Sequence, residues 1–98
     1  MADDEMKLLR QRARGEEAKR LLENSILKET FATVEKEIIA AWQDSMGGEG
    51  VQREEAYRLL RALRRLKGVM ESFMYTGEIA RKDLLEIEAE AKARERRA

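Results

Sequence analysis

Six basic side chains, Arg53, Arg58, Arg61, Arg64, Arg65 and Lys67, crowd into one short stretch in which Glu54 and Glu55 are the only acids. The chemistry open to them is the gripping of oxyanions, because a guanidinium can donate two parallel hydrogen bonds to one phosphate or carboxylate. On a helix, Arg58, Arg61 and Arg65 would share an outward strip, while Arg64 and Lys67 would flank the apolar stripe on another side. Two readings of that strip stay open. In one, it meets nucleic-acid phosphate or an acidic partner surface, and repetition around an oligomer makes it a belt. In the other, it is a solvated helix face whose arginines pair with acids such as Glu35, Glu37 and Asp44. Basic stretches at 7–20 and 92–97 add to the first reading where oligomerisation gathers them.

Little other chemistry is available. The chain has no histidine and no cysteine, which removes the usual general bases, thiolates and nitrogen or sulfur metal ligands. Glu86, Glu88 and Glu90 alternate at a spacing that spreads them around a helix axis, so they read as solvating charge and not as a metal site. Gly47-Gly48-Glu49-Gly50 lacks the Lys-Ser or Lys-Thr that completes a phosphate-binding loop. The expectation is a protein that is not an enzyme, with no cofactor and no metal. Twenty basic and twenty acidic residues cancel, so no global field draws the chain to nucleic acid or to a membrane. No apolar run approaches the roughly 18 residues needed to span a bilayer. The acidic start, Asp3, Asp4 and Glu5, differs from a secretory signal, and a cytoplasmic protein is expected.

The elements that must position these residues are helical. With 43% hydrophobic and 41% charged residues and no proline, the chain predicts an all-α fold. Ala56, Leu59, Leu63, Leu66, Met70, Phe73, Gly77, Ala80, Leu84, Ile87 and Ala91 repeat at three/four spacing, the pattern of a helix that lies against other helices. Uninterrupted, residues 56–91 would make a rod of roughly 54 Å, longer than a chain of this size needs to enclose its own core. An earlier stripe of Leu27, Phe31, Val34, Ile38, Ala41 and Ser45 follows a cap at Asn24 or Ser25 and runs to about Met46. The glycine cluster at 47–50 then reverses the chain. The predicted fold is an antiparallel helical hairpin, with Phe31, Val34, Ile38 and Ala41 facing Leu59, Leu63, Leu66, Met70 and Phe73. Its long second helix starts near Gln52, continues through Gly77 because the stripe keeps its phase, and extends into a C-terminal oligomerisation or docking helix. Three regions follow: a charged arm over 1–23, frayed or partner-dependent around Gly15; a hairpin core over 24–76; and an extension over 77–98. Phe73, Gly77, Ala80, Leu84, Ile87 and Ala91 are the expected contacts with another chain. Trp42 and Tyr57 should pack together and close the open end of the core.

Ala18-Lys19-Arg20-Leu21-Leu22-Glu23-Asn24 leading into Phe31 and the stretch 38–42, then Arg53-Glu54-Glu55-Ala56 through Leu66, Met70-Glu71-Ser72 and Thr76-Gly77-Glu78-Ile79-Ala80, resembles small helical proteins of tailed phages, prophages and gene transfer agents that occur in head and packaging gene clusters. Similarity to small terminase subunits implies a homo-oligomer, often a ring, that recognises double-stranded DNA and presents it to a large terminase subunit or another head protein in the host cytoplasm. Many small terminases carry an N-terminal helix-turn-helix domain, for which the first 23 residues are too short. The resemblance therefore implies a grip on the DNA backbone through Arg58, Arg61 and Arg65 without sequence reading. A reading of a different class remains beside it: a helical scaffold that docks another protein through residues 78–98, with no nucleic acid.

Overall fold

The computed structural model describes residues 2–45 and 50–97, and all of them except Asn24 and the cap residue Ser45 lie in three α-helices: α1 (Ala2–Glu23), α2 (Ser25–Asp44) and α3 (Gly50–Arg97). Most of the helix ends carry a local signal. Asp3, Asp4 and Glu5 occupy the first turn of α1 and Arg20 its last, charges that suit the two ends of the helix dipole. Asn24 breaks the path to α2 with extended backbone angles, and its Oδ1 accepts a hydrogen bond from the Leu27 amide at 2.9 Å. At the far end of α2 the Ser45 hydroxyl donates to the Trp42 carbonyl at 2.6 Å and is buried. Arg94, Arg96 and Arg97 close α3 against its negative dipole end. Of the predicted turn at 47–50, residues 47–49 lie outside the described residues, as does the predicted end of the first helix at Met46, while Gly50 is the first residue of α3.

Two compact units form, one from Met1–Arg20 with Glu71–Ala98, the other from Leu21–Met70. This grouping differs from the expected arm, hairpin core and extension. The arm is one continuous helix, and the segment it packs against is the C-terminal part of α3.

In the first unit, α1 is charged on most sides, and its covered face carries one large apolar residue, half-buried Leu8, beside small ones. The small residues let the helices approach. Gly15 and Gly77 meet backbone to backbone: a Cβ built on Gly15 would stand 2.7 Å from the Gly77 Cα and 2.9 Å from the Phe73 carbonyl oxygen. One built on Gly77 would stand 2.6 Å from the Gly15 Cα and 2.9 Å from the Gln11 carbonyl oxygen. Gly77 thus meets both Gly15 and Gln11, and Gly15 both Gly77 and Phe73, the register of helices running in opposite directions. Ala18 and Ala80 are buried in this unit, and Leu84 and Ile87 are half-buried. Gly77 lies inside α3 and does not interrupt it.

In the second unit, α2 lies along the first part of α3, again in opposing register: Glu35 pairs with Arg64, while Ile38, Ile39 and Trp42 line one recess with Ala56, Tyr57 and Leu60. The seam runs through Ala56, which is buried, and half-buried Leu60, Leu63 and Met70. Leu59 and Leu66, expected to face α2, do not. Both are 58% exposed. The physical reason is that Leu60 competes with Leu59 for the same turn of α3, and α2 covers the side on which Leu60 lies. Among the described residues no large side chain is fully buried, and the buried apolar set is Ala18, Ala56 and Ala80.

Candidate interaction surfaces

The basic cluster lies wholly on α3 within the second unit, where it divides by face. Arg58 points outward and pairs loosely with Glu54 one turn earlier at 3.7 Å, both side chains more than two-thirds exposed. Arg61 lies 5.8 Å from the centre of the Tyr57 ring, a cation–π contact at an exposed site. Arg64 reaches across to Glu35 of α2 at 3.1 Å, the kind of pairing that the solvated-face reading expects. Arg53, Arg65 and Lys67 are exposed. An exposed ion pair contributes about 0.2–1 kcal/mol, so Arg58 can give up Glu54 to a better acceptor at little cost. The strip of Arg58, Arg61 and Arg65 is therefore chemically able to receive phosphate or carboxylate oxygens.

The residues expected to contact another chain are largely occupied within this one. Gly77 and Ala80 are buried in the first unit and Leu84 and Ile87 are half-covered there. Phe73 keeps 38% of its surface exposed, with the Arg14 guanidinium 5.4 Å from its ring centre. Ala91 is exposed. Part of the stripe at 73–87 is thus covered by α1 of the same chain, because Gly15 lets that helix approach its backbone.

Glu78 and Arg81 form the best-defined ion pair of the first unit, with hydrogen bonds of 2.6 and 3.1 Å to the two carboxylate oxygens. Those bonds hold the Glu78 carboxyl below its ordinary pKa, assisted by the charges of Arg81, Lys82 and Lys19, and raise that of Arg81. A carboxylate whose pKa is lower folded than unfolded contributes its stability above the unfolded value. That contribution falls away as acidification passes through the folded value.

Trp42 and Tyr57 do not close the core. They remain 43% and 58% exposed and rim an open apolar recess of about 300 Å3 with Ile38, Ile39, Ala56 and Leu60. On the other side of the seam a second, more polar groove is lined by Glu37, Ala41 and Asp44 of α2 and by Glu55 and Leu59 of α3. Sequence reasoning did not single out this groove or the exposed leucine strip beside it. The signal was present, since Leu59, Ala62, Leu66 and Val69 form a second three/four series, displaced from the one that α2 covers.

Among the described residues no three His, Cys, Asp or Glu side chains converge on a point that could hold a metal ion, and no helix is long and apolar enough to cross a membrane. Compared with known proteins, the chain matches no family model, no curated protein and no solved structure.

Proposed function

We propose that the chain is a non-catalytic helical adaptor that works as a homo-oligomer. The observation that carries this reading is the surface it leaves uncovered. A folded monomer of 11.4 kDa exposes about 5,800 Å2 by the usual scaling of area with mass, whereas this chain exposes 8137 Å2. The excess, roughly 2,300 Å2, is more than the ~800 Å2 that each partner contributes to a standard protein interface. It includes Leu59, Leu66, Tyr57, Tyr75, Ile79 and Val51, each at least 58% exposed. In this reading α2 and the first part of α3 form a helical hairpin, and α3 serves as the platform for assembly.

A second component is favoured by the outward strip of Arg58, Arg61 and Arg65, which among the described residues is held by a loose pair and a ring contact. These side chains are suited to grip the phosphate backbone of double-stranded DNA without reading its sequence. Together with the resemblance to small phage and gene transfer agent packaging proteins, this supports a small-terminase-like packaging adaptor, acting in the host cytoplasm beside a large terminase subunit. The packaging assignment rests on that resemblance. The alternative, a scaffold that docks another protein through 78–98 without nucleic acid, is less well supported, because much of that segment's apolar stripe already has α1 as its partner.

The test is native mass across a range of protein concentration, followed by DNA binding across a range of salt. A discrete assembly of several subunits is expected, with duplex affinity falling steeply as salt rises, weakened by Arg61→Glu alone in a protein that still assembles, and abolished by the triple substitution Arg58→Glu, Arg61→Glu, Arg65→Glu. A monomer at every concentration would end the oligomer reading. An assembly that ignores DNA, or binds it without regard to salt, would leave a scaffold and remove the packaging role.

A further inference from the structure

The uncovered apolar surface is not scattered. Along α3, Leu59, Ala62, Leu66 and Val69 recur at three- and four-residue intervals, the a/d pattern of a coiled-coil seam. The seam against α2 uses a different series, Ala56, Leu60, Leu63 and Met70. One helix thus carries two adjacent stripes. The first is covered by α2, and the second leaves both of its leucines 58% exposed.

The flanks of this second stripe carry opposite charge. Glu37 and Asp44 of α2 rim the groove on the α2 side of Leu59, and Glu55, one turn before Leu59 on the strip's own line, also lines it. On the opposite flank of the stripe, at the helix positions just before each leucine, stand Arg58 and Arg65, both exposed. An apolar strip with acid along one edge and base along the other is complementary to itself. The symmetry decides how. A two-fold axis running along α3 sets each copy's basic edge against the other's acidic edge, whereas a two-fold axis across α3 sets like edges together. We infer that a second copy of this chain packs on the strip of Leu59, Ala62, Leu66 and Val69, with the two α3 helices parallel, Leu59 meeting Leu59 and Leu66 meeting Leu66, and Arg58 and Arg65 of each copy facing Glu37 and Asp44 of the other. This deepens the oligomer reading and rests on it. Ala62, the small residue between the leucines, lets the two backbones approach, and the leucines supply the non-polar burial that the surface excess leaves room for.

The experiment uses the full chain. Its absence of cysteine makes a single Leu66→Cys a clean reporter. Parallel pairing brings the two introduced thiols together, so mild oxidation should link copies rapidly, and a single Ile26→Cys, an exposed site on α2, should link them at least about tenfold more slowly. By sedimentation, the double variant Leu59→Glu/Leu66→Glu should keep its helical circular dichroism and raise the dissociation constant at least about 100-fold, since four buried leucines leave each pair. Arg58→Glu/Arg65→Glu should weaken assembly, and adding Glu37→Arg/Asp44→Arg should restore it. If the wild type assembles but Leu59→Glu/Leu66→Glu does so equally well, this face is wrong and the oligomer reading stands. If the wild type is monomeric at every concentration, both fall. Should the glutamate variant lose its helicity, the two thiol variants decide: slow linking at position 66 relative to position 26 overturns the inference.

Discussion

The sharpest residue-scale feature is the crossing of Gly15 and Gly77, where each position lacks room for a Cβ because the neighbouring atoms belong to the other helix's backbone. Backbone cannot move aside as a flexible side chain can. Alanine at Gly77 must therefore push α1 away from α3, and overpacking of this kind costs about 1–3 kcal/mol, partly offset by the roughly 1 kcal/mol by which alanine is the better helix former. Gly68 lies in the same helix with nothing within 4 Å of a built Cβ. The same substitution there should stabilise by about 0.5–1 kcal/mol. Urea unfolding of Gly77→Ala and Gly68→Ala should therefore move the midpoint in opposite directions. Equal shifts would mean that the close approach is not a constraint on the fold. From the sequence, Gly15 reads as a weak point in a charged helix and Gly77 as a position through which the stripe keeps its phase. Composition cannot reveal that the two meet, because their contact is made by backbone atoms that no residue pattern encodes.

At the scale of elements, most of the helix plan was legible and the pairing was less so. Asn24 announces its cap through its residue type, and the phase of apolar residues carries α3 through Gly77. Ala56, Leu63, Met70, Gly77 and Leu84, which recur every seven residues in the predicted stripe, all fall on covered faces. What periodicity cannot decide is the side from which a partner arrives. Leu59 and Leu60 are adjacent leucines flanking the same line, and α2 takes the second. Further along, Ala80 and Ile87 sit on the opposite flank of that line and are covered by α1's side of the first unit. The basic cluster was legible as a cluster, yet the engagement of Arg64 by Glu35 and of Arg61 by Tyr57 depends on a register that only the folded pair supplies. A chain ended at Thr76 separates the two units' claims on α3. It loses Gly77, Ala80, Leu84 and Ile87, so α1 is left as a charged helix without a partner, and such helices are marginal in water. Amide exchange should show protection lost across residues 2–20 and retained across 25–44. Protection retained in both would show that α1 does not depend on the C-terminal part of α3, and loss in both would make the second unit dependent on the first.

For the whole molecule, the governing quantity is the imbalance between what is covered and what is not. Three alanines and a serine are the buried side chains among the described residues, while Leu59, Leu66 and many other large apolar groups stay open to water. A core of that kind contributes little per residue, and small chains with thin cores commonly complete them by association. Association then becomes part of folding stability, because anything that binds only the folded state stabilises it by mass action. If the chain folds as a dimer, each tenfold rise in concentration adds about 1.4 kcal/mol per dimer. Spread over the unfolding entropy of two chains of this length, that raises Tm by roughly 3 °C. Calorimetry over two decades of concentration should therefore show Tm climbing by about 6 °C for the wild type. The Leu59→Glu/Leu66→Glu variant should show a lower Tm that no longer responds to concentration. A wild-type Tm independent of concentration would place all of the stability within one chain, and the exposed leucines would then lower solubility without contributing to the fold.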